Sequence, residues 1–142
     1  MKRFLATTAM AMYLVAFGGA AMASSGGPSI SADEALTKLQ EGNTRFVTGA
    51  KVGPRQDAAR RHETAKDGQH PFATILSCAD SRVPVELLFD QGVGDLFVVR
   101  VAGNVAATDE IGTIEYGAEH LGVPLVVVLA HTKCGAVTAV VK

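Results

Sequence analysis

Three short apolar runs separate the helix-like segments of this chain, at residues 72–77, 96–101 and 125–130. Each run has the length and the β-branched or aromatic content of a strand, and the last is apolar throughout, which predicts burial on both of its faces. Apolar strands that alternate with helices are typical of a parallel sheet with helices on its faces. We therefore predict an α/β fold with a mainly parallel sheet, in which ligands bind at the carboxyl ends of the strands.

Helix signals lie before the first run. Ser31 followed by Glu34 forms a capping box, and Gly42 is expected to end the helix that it opens. The apolar residues expected to share one face of this helix are Ala35, Leu36 and Leu39. Residues 49–69 are polar and charged, which predicts an exposed loop with a short helix over 58–65 and a solvated set of charges.

Helix signals also lie between the runs. Pro84 fits the first turn of a helix over residues 85–90, and Thr108 opens another helix whose first turn is acidic. The predicted apolar stripe of that second helix consists of Ile111, Ile114, Ala118 and Leu121. A strand–helix–strand–helix–strand order follows, as the α/β prediction requires.

The amino terminus has the pattern of a secretory signal peptide. Lys2 and Arg3 precede an apolar segment, and small residues at Ala21 and Ala23 precede Ser24, so residues 1–23 are predicted to be removed and 24–142 to form the exported domain. A retained anchor is the alternative, but Gly18 and Gly19 interrupt a segment already shorter than the roughly 20 residues of a membrane span. We expect no stable membrane anchor after cleavage, and a periplasmic location.

Charge argues against nucleic acid as a partner. The chain has 13 Lys and Arg against 14 Asp and Glu, and the predicted signal peptide contains two of the basic residues and none of the acidic ones. The exported domain is therefore mildly acidic, and it has no basic run with interleaved aromatic residues.

Two clusters of potential ligands follow the first and third runs: Cys78 with Asp80 and Arg82, and His131 with Cys134. A parallel sheet places both clusters at the same edge. Two thiolates and an imidazole suit zinc, and a catalytic zinc site leaves the fourth position to water. A disulfide between Cys78 and Cys134 in an exported binding module without metal is the alternative, because an exported domain with two cysteines meets an oxidising compartment.

Asp80 and Arg82 allow three interpretations. The Asp80 carboxylate could bind the metal, or it could orient a metal-bound water while the Arg82 guanidinium keeps it ionised through a two-pronged contact. Only the second role leaves a coordination position open. The third interpretation is an ordinary salt bridge that closes a strand-to-helix turn.

Several motifs, in this order, resemble the β-class carbonic anhydrases over most of the exported domain. They include Cys78-Ala79-Asp80-Ser81-Arg82-Val83-Pro84, Gly94-Asp95-Leu96-Phe97-Val98-Val99-Arg100, Ala102-Gly103-Asn104, Ile114-Glu115-Tyr116 and His131-Thr132-Lys133-Cys134-Gly135, together with Glu41-Gly42-Asn43-Thr44-Arg45-Phe46. The resemblance favours zinc over a disulfide.

The resemblance implies a zinc lyase, with one Zn²⁺ per chain, that interconverts carbon dioxide and bicarbonate by zinc-bound hydroxide. Its ligands would be Cys78, His131 and Cys134. Asp80, paired with Arg82, would orient the nucleophile, or would become a fourth ligand in a closed state. Carbonyl sulfide or carbon disulfide is the alternative substrate on the same fold.

Substrate-binding residues and assembly are also implied by the resemblance. Gln69 and the Gly135 amide would donate to substrate, and Phe97 and Tyr116 would form apolar walls, in a pocket that two subunits could share. A homodimer or higher homo-oligomer is expected. Because the family continues beyond the His-x-x-Cys-Gly motif with further helices and at least one strand, we expect an incomplete sheet and a partial domain, with activity in doubt.

Overall fold

The computed structural model describes residues 30–141; the predicted signal peptide and its cleavage point lie outside this range. The elements in chain order are α1 (Ala32–Val47), α2 (Ala58–Asp67), β1 (Ala73–Cys78), α3 (Val85–Leu88), β2 (Leu96–Val101), α4 (Thr108–Glu119), β3 (Val126–Leu129) and α5 (Gly135–Val141). None of the helices within residues 30–141 combines the length and the apolar character needed to cross a membrane.

The three strands form one parallel sheet in the order β2-β1-β3, which confirms the predicted α/β fold. β1 is the central strand, and all six of its residues are buried. Its neighbours are in register with it, so that Cys78 is opposite Val101 of β2, and Ser77 is opposite Leu129 of β3. The carboxyl ends of β1 and β3 therefore lie side by side.

The core lies between one face of this sheet and the helices α1 and α3. Ile75 of β1 and Val85 of α3 are fully buried with Ala35 and Leu39 of α1. The capping box predicted at the start of α1 is present, since Glu34 N donates to Ser31 Oγ and Ser31 N donates to Glu34 Oε2. Leu36, expected on the same face, is 41% exposed.

The prediction that Gly42 ends the first helix is wrong. α1 continues to Val47, and Gly42 is a buried residue within it. A Cβ at this position would lie 1.8 Å from the carbonyl oxygen of Phe89, just after α3. Glycine is therefore needed here for close approach of two backbones rather than for termination.

Burial of the third strand on both faces was also predicted wrongly. Exposure alternates along β3, with Val126 44% and Val128 63% exposed, while Val127 and Leu129 pack against the core. Val126 and Val128 occupy the face opposite to α1, and both are exposed there. As predicted, the sheet is open, with an edge at β3.

Only part of the predicted apolar stripe of α4 is buried, because Leu121, just beyond the helix, is 8% exposed and Ile114 is half-buried. Ile111 is 46% exposed, and the buried residue of the helix is Gly117. A Cβ on Gly117 would lie 2.9 Å from Thr74 Oγ1 and 3.0 Å from Phe97 Cδ1, so the small residue allows the close approach. Gly117 lies three residues after Ile114 and four before Leu121, so the small residue and these apolar residues share the side of α4 that faces the sheet.

The charges of residues 49–69 were expected to be solvated, but Arg55 is an exception. Its guanidinium makes a two-pronged contact with the Asp95 carboxylate, at 2.7 to 3.0 Å, and Asp95 is only 5% exposed. Asp95 also accepts from the Gly92 amide at 2.7 Å. This pair fixes the polar segment to the turn before β2.

Candidate metal centre

Three donor side chains meet where β1 and β3 end. Cys78 is the last residue of β1, and His131 and Cys134 lie on the turn that connects β3 to α5. One ligand atom from each of Cys78, His131 and Cys134 lies within 4.8 Å of the other two. These three residues are called the donor set below. The structure thus brings together the three residues that the sequence predicts as zinc ligands.

The spacing of the two thiols suits a shared metal ion. Cys78 Sγ and Cys134 Sγ are 3.9 Å apart, and both residues are buried as free cysteines. Two thiolates on a tetrahedral zinc at about 2.3 Å each would be about 3.8 Å apart, whereas a disulfide joins its sulfurs at about 2.05 Å. The geometry fits zinc ligation.

His131 has the tautomer that a zinc ligand needs. Its Nδ1 lies 3.0 Å from the carbonyl oxygen of Thr132, and because a carbonyl can only accept, Nδ1 carries the proton. Nε2 then has the lone pair, and it is buried without a hydrogen-bond partner among the described residues. A buried nitrogen without a partner is costly unless something binds it, and a metal ion would.

Backbone amides stabilise the thiolate form of Cys78. Hydrogen bonds from the amide of Asp80 and then from that of Gly103, 3.2 Å from Sγ, are the largest causes that lower the pKa of the Cys78 thiol, to about 6. The Gly103 amide belongs to the loop after β2, so the end of the second strand supports the Cys78 thiolate without adding a member to the donor set. A thiolate is the form that binds zinc.

Asp80 is held beside the donor set by Arg82. Arg82 Nε donates to Oδ1 and Nη2 donates to Oδ2, each at 2.8 Å, and the Arg82 amide adds a bond to Oδ1 at 3.0 Å. These bonds from Arg82 hold the pKa of the Asp80 carboxyl well below its usual range. Oδ2 lies 3.8 Å from His131 Nε2. Arg82 also donates to the Lys133 carbonyl oxygen at 3.2 Å, which joins the two turns.

The free acceptor site on Asp80 faces the donor set. A carboxylate has about four lone-pair sites, of which Arg82 uses two on Oδ1 and one on Oδ2. The remaining site is on Oδ2, the oxygen close to His131. A role for Asp80 as a fourth ligand would require it to leave Arg82, and this closed state stays a prediction.

Arg100 is a residue of the site to which the sequence analysis assigned no role. Its Nε donates to the carbonyl oxygen of Cys78 at 3.0 Å, and its Nη2 donates to that of Asp80 at 2.7 Å. The sequence does offer one signal: Arg100 lies one residue before the end of the second predicted strand, and the first predicted strand is followed directly by the ligand Cys78. The targets of Arg100 are backbone atoms, which side-chain motifs do not show.

The predicted substrate-binding residues do not all lie near the donor set of their own chain. Gly135 directly follows Cys134, whereas Gln69 is exposed before the opposite end of β1. Phe97 is opposite Thr74, four residues before Cys78, or about 13 Å along the strand. The ring of Tyr116 lies 5.9 Å from that of Phe97. These roles stay predictions.

Comparisons with known proteins agree with this geometry. A carbonic anhydrase family model matches residues 73–142, which include the whole donor set. Carbonic anhydrase 2 of Mycobacterium tuberculosis is 50% identical over 112 residues, covering 79% of this chain and 54% of that protein. The chain thus spans about half the length of the curated relatives it matches.

Solved structures of similar proteins share the fold. The crystal structure of the β-carbonic anhydrase CafA of Aspergillus fumigatus matches with a TM-score of 0.55 at 31% identity, over 78% of this chain and 50% of that one. A structure of two tetrameric β-carbonic anhydrases from Sordaria macrospora matches with a TM-score of 0.54 at 25% identity, over 78% of this chain and 55% of that one.

Proposed function

Because this chain belongs to the family of β-class carbonic anhydrases, we propose that it binds one zinc ion per chain and catalyses the reversible hydration of carbon dioxide to bicarbonate and a proton. The single observation that carries the proposal is the donor set itself: two thiols 3.9 Å apart beside a buried imidazole nitrogen with no partner among the described residues. The proposal applies to the whole protein.

Zinc bound by Cys78, His131 and Cys134 would supply Lewis acidity, lowering the pKa of a coordinated water far below that of bulk water, to about 7. The protein's own part is orientation. The free lone pair on Asp80 Oδ2 accepts a hydrogen bond from the attacking water and directs its reactive lone pair towards carbon dioxide. Arg82 keeps Asp80 ionised and fixes its plane, so that Asp80 acts as an acceptor rather than as a donor.

We propose that the remaining substrate roles belong to a pocket shared between subunits. The Gly135 amide lies next to a ligand and could donate to a developing bicarbonate oxygen of its own site. Gln69, Phe97 and Tyr116 lie away from their own donor set, and we propose that they serve that of a neighbouring copy. The tetrameric relatives from Sordaria macrospora support a homo-oligomer.

We also propose export to the periplasm with cleavage before Ser24, supported by the basic, apolar and small-residue order of residues 1–23. N-terminal sequencing of the protein recovered from a periplasmic fraction tests this. A mature protein that still begins at Met1 would refute it.

The proposed activity is tested by metal analysis together with stopped-flow hydration of carbon dioxide followed with a pH indicator. We expect about one zinc per chain, and loss of both zinc and activity in Cys78→Ser. Asp80→Asn keeps zinc but loses the carboxylate that accepts the orienting hydrogen bond, so kcat falls by about 10²-fold, the cost of a misplaced reacting group. Asp67→Asn, on the exposed end of α2, is the matched control.

The decisive result is a difference between the variants, in which Cys78→Ser loses zinc and Asp80→Asn loses only kcat. Wild-type protein without zinc, or Asp80→Asn with the same kcat as Asp67→Asn, would refute the assigned roles. Zinc-loaded wild-type protein that is active on carbonyl sulfide or carbon disulfide but not on carbon dioxide would refute the substrate.

A further inference from the structure

Arg100 contacts the backbone on both sides of Ala79, in the turn that carries the side chains of Cys78 and Asp80. Its guanidinium donates to the carbonyl oxygens of Cys78 and Asp80, at 3.0 and 2.7 Å. Cys78 supplies a thiolate to the donor set, and Asp80 supplies the orienting carboxylate. One side chain of β2 therefore holds both the ligand and the orienting carboxylate through their main chain.

Other atoms at the end of β2 contact the same turn. The carbonyl oxygen of Val101 accepts from the Ala79 amide at 3.0 Å, and the Gly103 amide donates to Cys78 Sγ at 3.2 Å. β1 ends at Cys78, and the Ala79 amide makes the last main-chain bond from this segment to β2. The Arg100 contacts therefore add to the sheet's bonds where the chain leaves the sheet.

An arginine suits this task for a geometric reason. The two carbonyl groups belong to residues two apart, and the planar guanidinium reaches both at once through Nε and Nη2. The Asp80 carbonyl oxygen also accepts from the Val83 amide at 3.0 Å, so Arg100 adds a bond from β2 to one made within the turn. A lysine has the same charge, but its single nitrogen cannot reproduce the two separated donor positions. The requirement is for the shape of the donor group, not only for positive charge.

We propose that Arg100 is a positioning residue of the zinc site, acting on the metal through Cys78 and on the reaction through Asp80. This inference rests on the proposed function. Asp80 and Arg82 bond to each other within the turn, so their pair survives removal of the Arg100 side chain. What changes is the placement of that pair, and of the Cys78 thiolate, relative to His131 and Cys134.

The experiment measures zinc affinity by chelator competition in the full chain and in the variants Arg100→Ala, Arg100→Gln and Arg100→Lys. The matched control is Arg60→Ala, because Arg60 Nε also donates to a carbonyl oxygen, that of Val93, at 2.8 Å, but away from the donor set. We expect Arg100→Ala to bind zinc about 10- to 100-fold more weakly, the usual cost of losing a group that orients a ligand. Arg60→Ala should keep the wild-type affinity.

Three further measurements separate positioning from general destabilisation. With zinc saturating, Arg100→Ala should lower kcat and leave KM unchanged, since Asp80 is misplaced but no substrate contact is lost. The absorption spectrum of the Co²⁺-loaded variant should differ from the wild type, because it reports ligand geometry. In the metal-free protein, the Ala79 amide should exchange its hydrogen faster than in Arg60→Ala.

The outcomes decide between the explanations. If Arg100→Lys binds zinc with the wild-type affinity, the positive charge alone is sufficient and the proposal is wrong. If Arg100→Ala and Arg60→Ala weaken zinc binding equally, the effect is a general loss of stability and the proposal is also wrong. If Arg100→Ala does not fold, Arg100→Gln, which keeps one donor, is measured against the same control. If the wild type binds zinc and is active, and the Arg100 variants have the same zinc affinity and kcat, only this inference is refuted. If the wild type binds no zinc and is inactive, the proposed function is refuted as well.

Discussion

Replacing Gly42 by alanine tests the contact between α1 and α3, on which the core depends. In an isolated helix this change is favourable by about 1 kcal/mol, because alanine has the higher helix propensity. Here the new Cβ would lie 1.8 Å from Phe89 O, where real Cβ atoms essentially never approach closer than 3.0 Å. The two backbones must therefore separate by more than about 1 Å, which a close-packed core resists.

The size of the effect follows from what that separation disrupts. Overpacking of a core costs about 1–3 kcal/mol. Asn43 Nδ2, on the next residue, donates to the Leu88 carbonyl oxygen at 3.0 Å, and loss of this bond adds about 1 kcal/mol. Against the gain in helix propensity, we expect Gly42→Ala to lower the free energy of unfolding by about 2 kcal/mol.

The matched control is Gly112→Ala in α4. A Cβ at Gly112 meets no heavy atom within 4 Å, so only the propensity term remains, and stability should rise by about 0.5–1 kcal/mol. Urea unfolding at a fixed zinc concentration measures both changes, because zinc binding contributes to folding. If Gly42→Ala proves as stable as the wild type or as Gly112→Ala, the close approach of α1 to Phe89 is wrong.

Two further outcomes are expected, one with acid and one with chelator. Arg45, followed by the amides of Gly53 and Val52, holds the pKa of buried Asp90 at about 2, below its usual 3.8. The stabilisation by ionised Asp90 is therefore complete above pH 4 and is lost as the pH falls from 4 towards 2. The urea midpoint of the wild type should exceed that of Asp90→Asn by a constant margin near neutrality, and this margin should disappear between pH 4 and pH 2. A margin that is unchanged at pH 2 would contradict the prediction. Removing zinc with a chelator should lower the midpoint of thermal unfolding, and a thiol assay should then detect two reactive thiols, those of Cys78 and Cys134. Equal thiol reactivity with and without zinc would contradict zinc ligation by both cysteines.

The strands and the donor set could be predicted from the sequence because their signals are local. An apolar run identifies a strand wherever it lies in the chain, and the run before Cys78 places this residue at a strand end. The parallel order of such strands then brings Cys78 beside His131 and Cys134. No knowledge of side-chain packing was needed for that step.

The helix faces could be predicted only in part. Ala35 and Leu39 lie in the core as expected, but the close approaches of helices to other elements depend on contacts between distant residues. Gly42 looks like a helix terminus until the backbone of Phe89 lies against it, and Gly117 looks like a break in an apolar stripe until Thr74 and Phe97 occupy the space beside it. In both cases a small residue marks a close approach to an element that lies far away in sequence. A glycine inside a helix pattern permits either interpretation.

The role of Arg100 is visible neither in a local sequence signal nor in the apolar pattern of a helix. The donor atoms of a zinc site are side chains, which a sequence displays, but the atoms that hold these donors in place include backbone amides and carbonyls, which every residue has. Here the Gly103 amide and the carbonyls of Cys78 and Asp80 connect β2 to the site. β2 contributes no member of the donor set, yet its end contacts both the thiolate and the turn that carries the carboxylate. The precision of the site therefore depends on the pairing of β2 with β1 as well as on the residues that bind the metal.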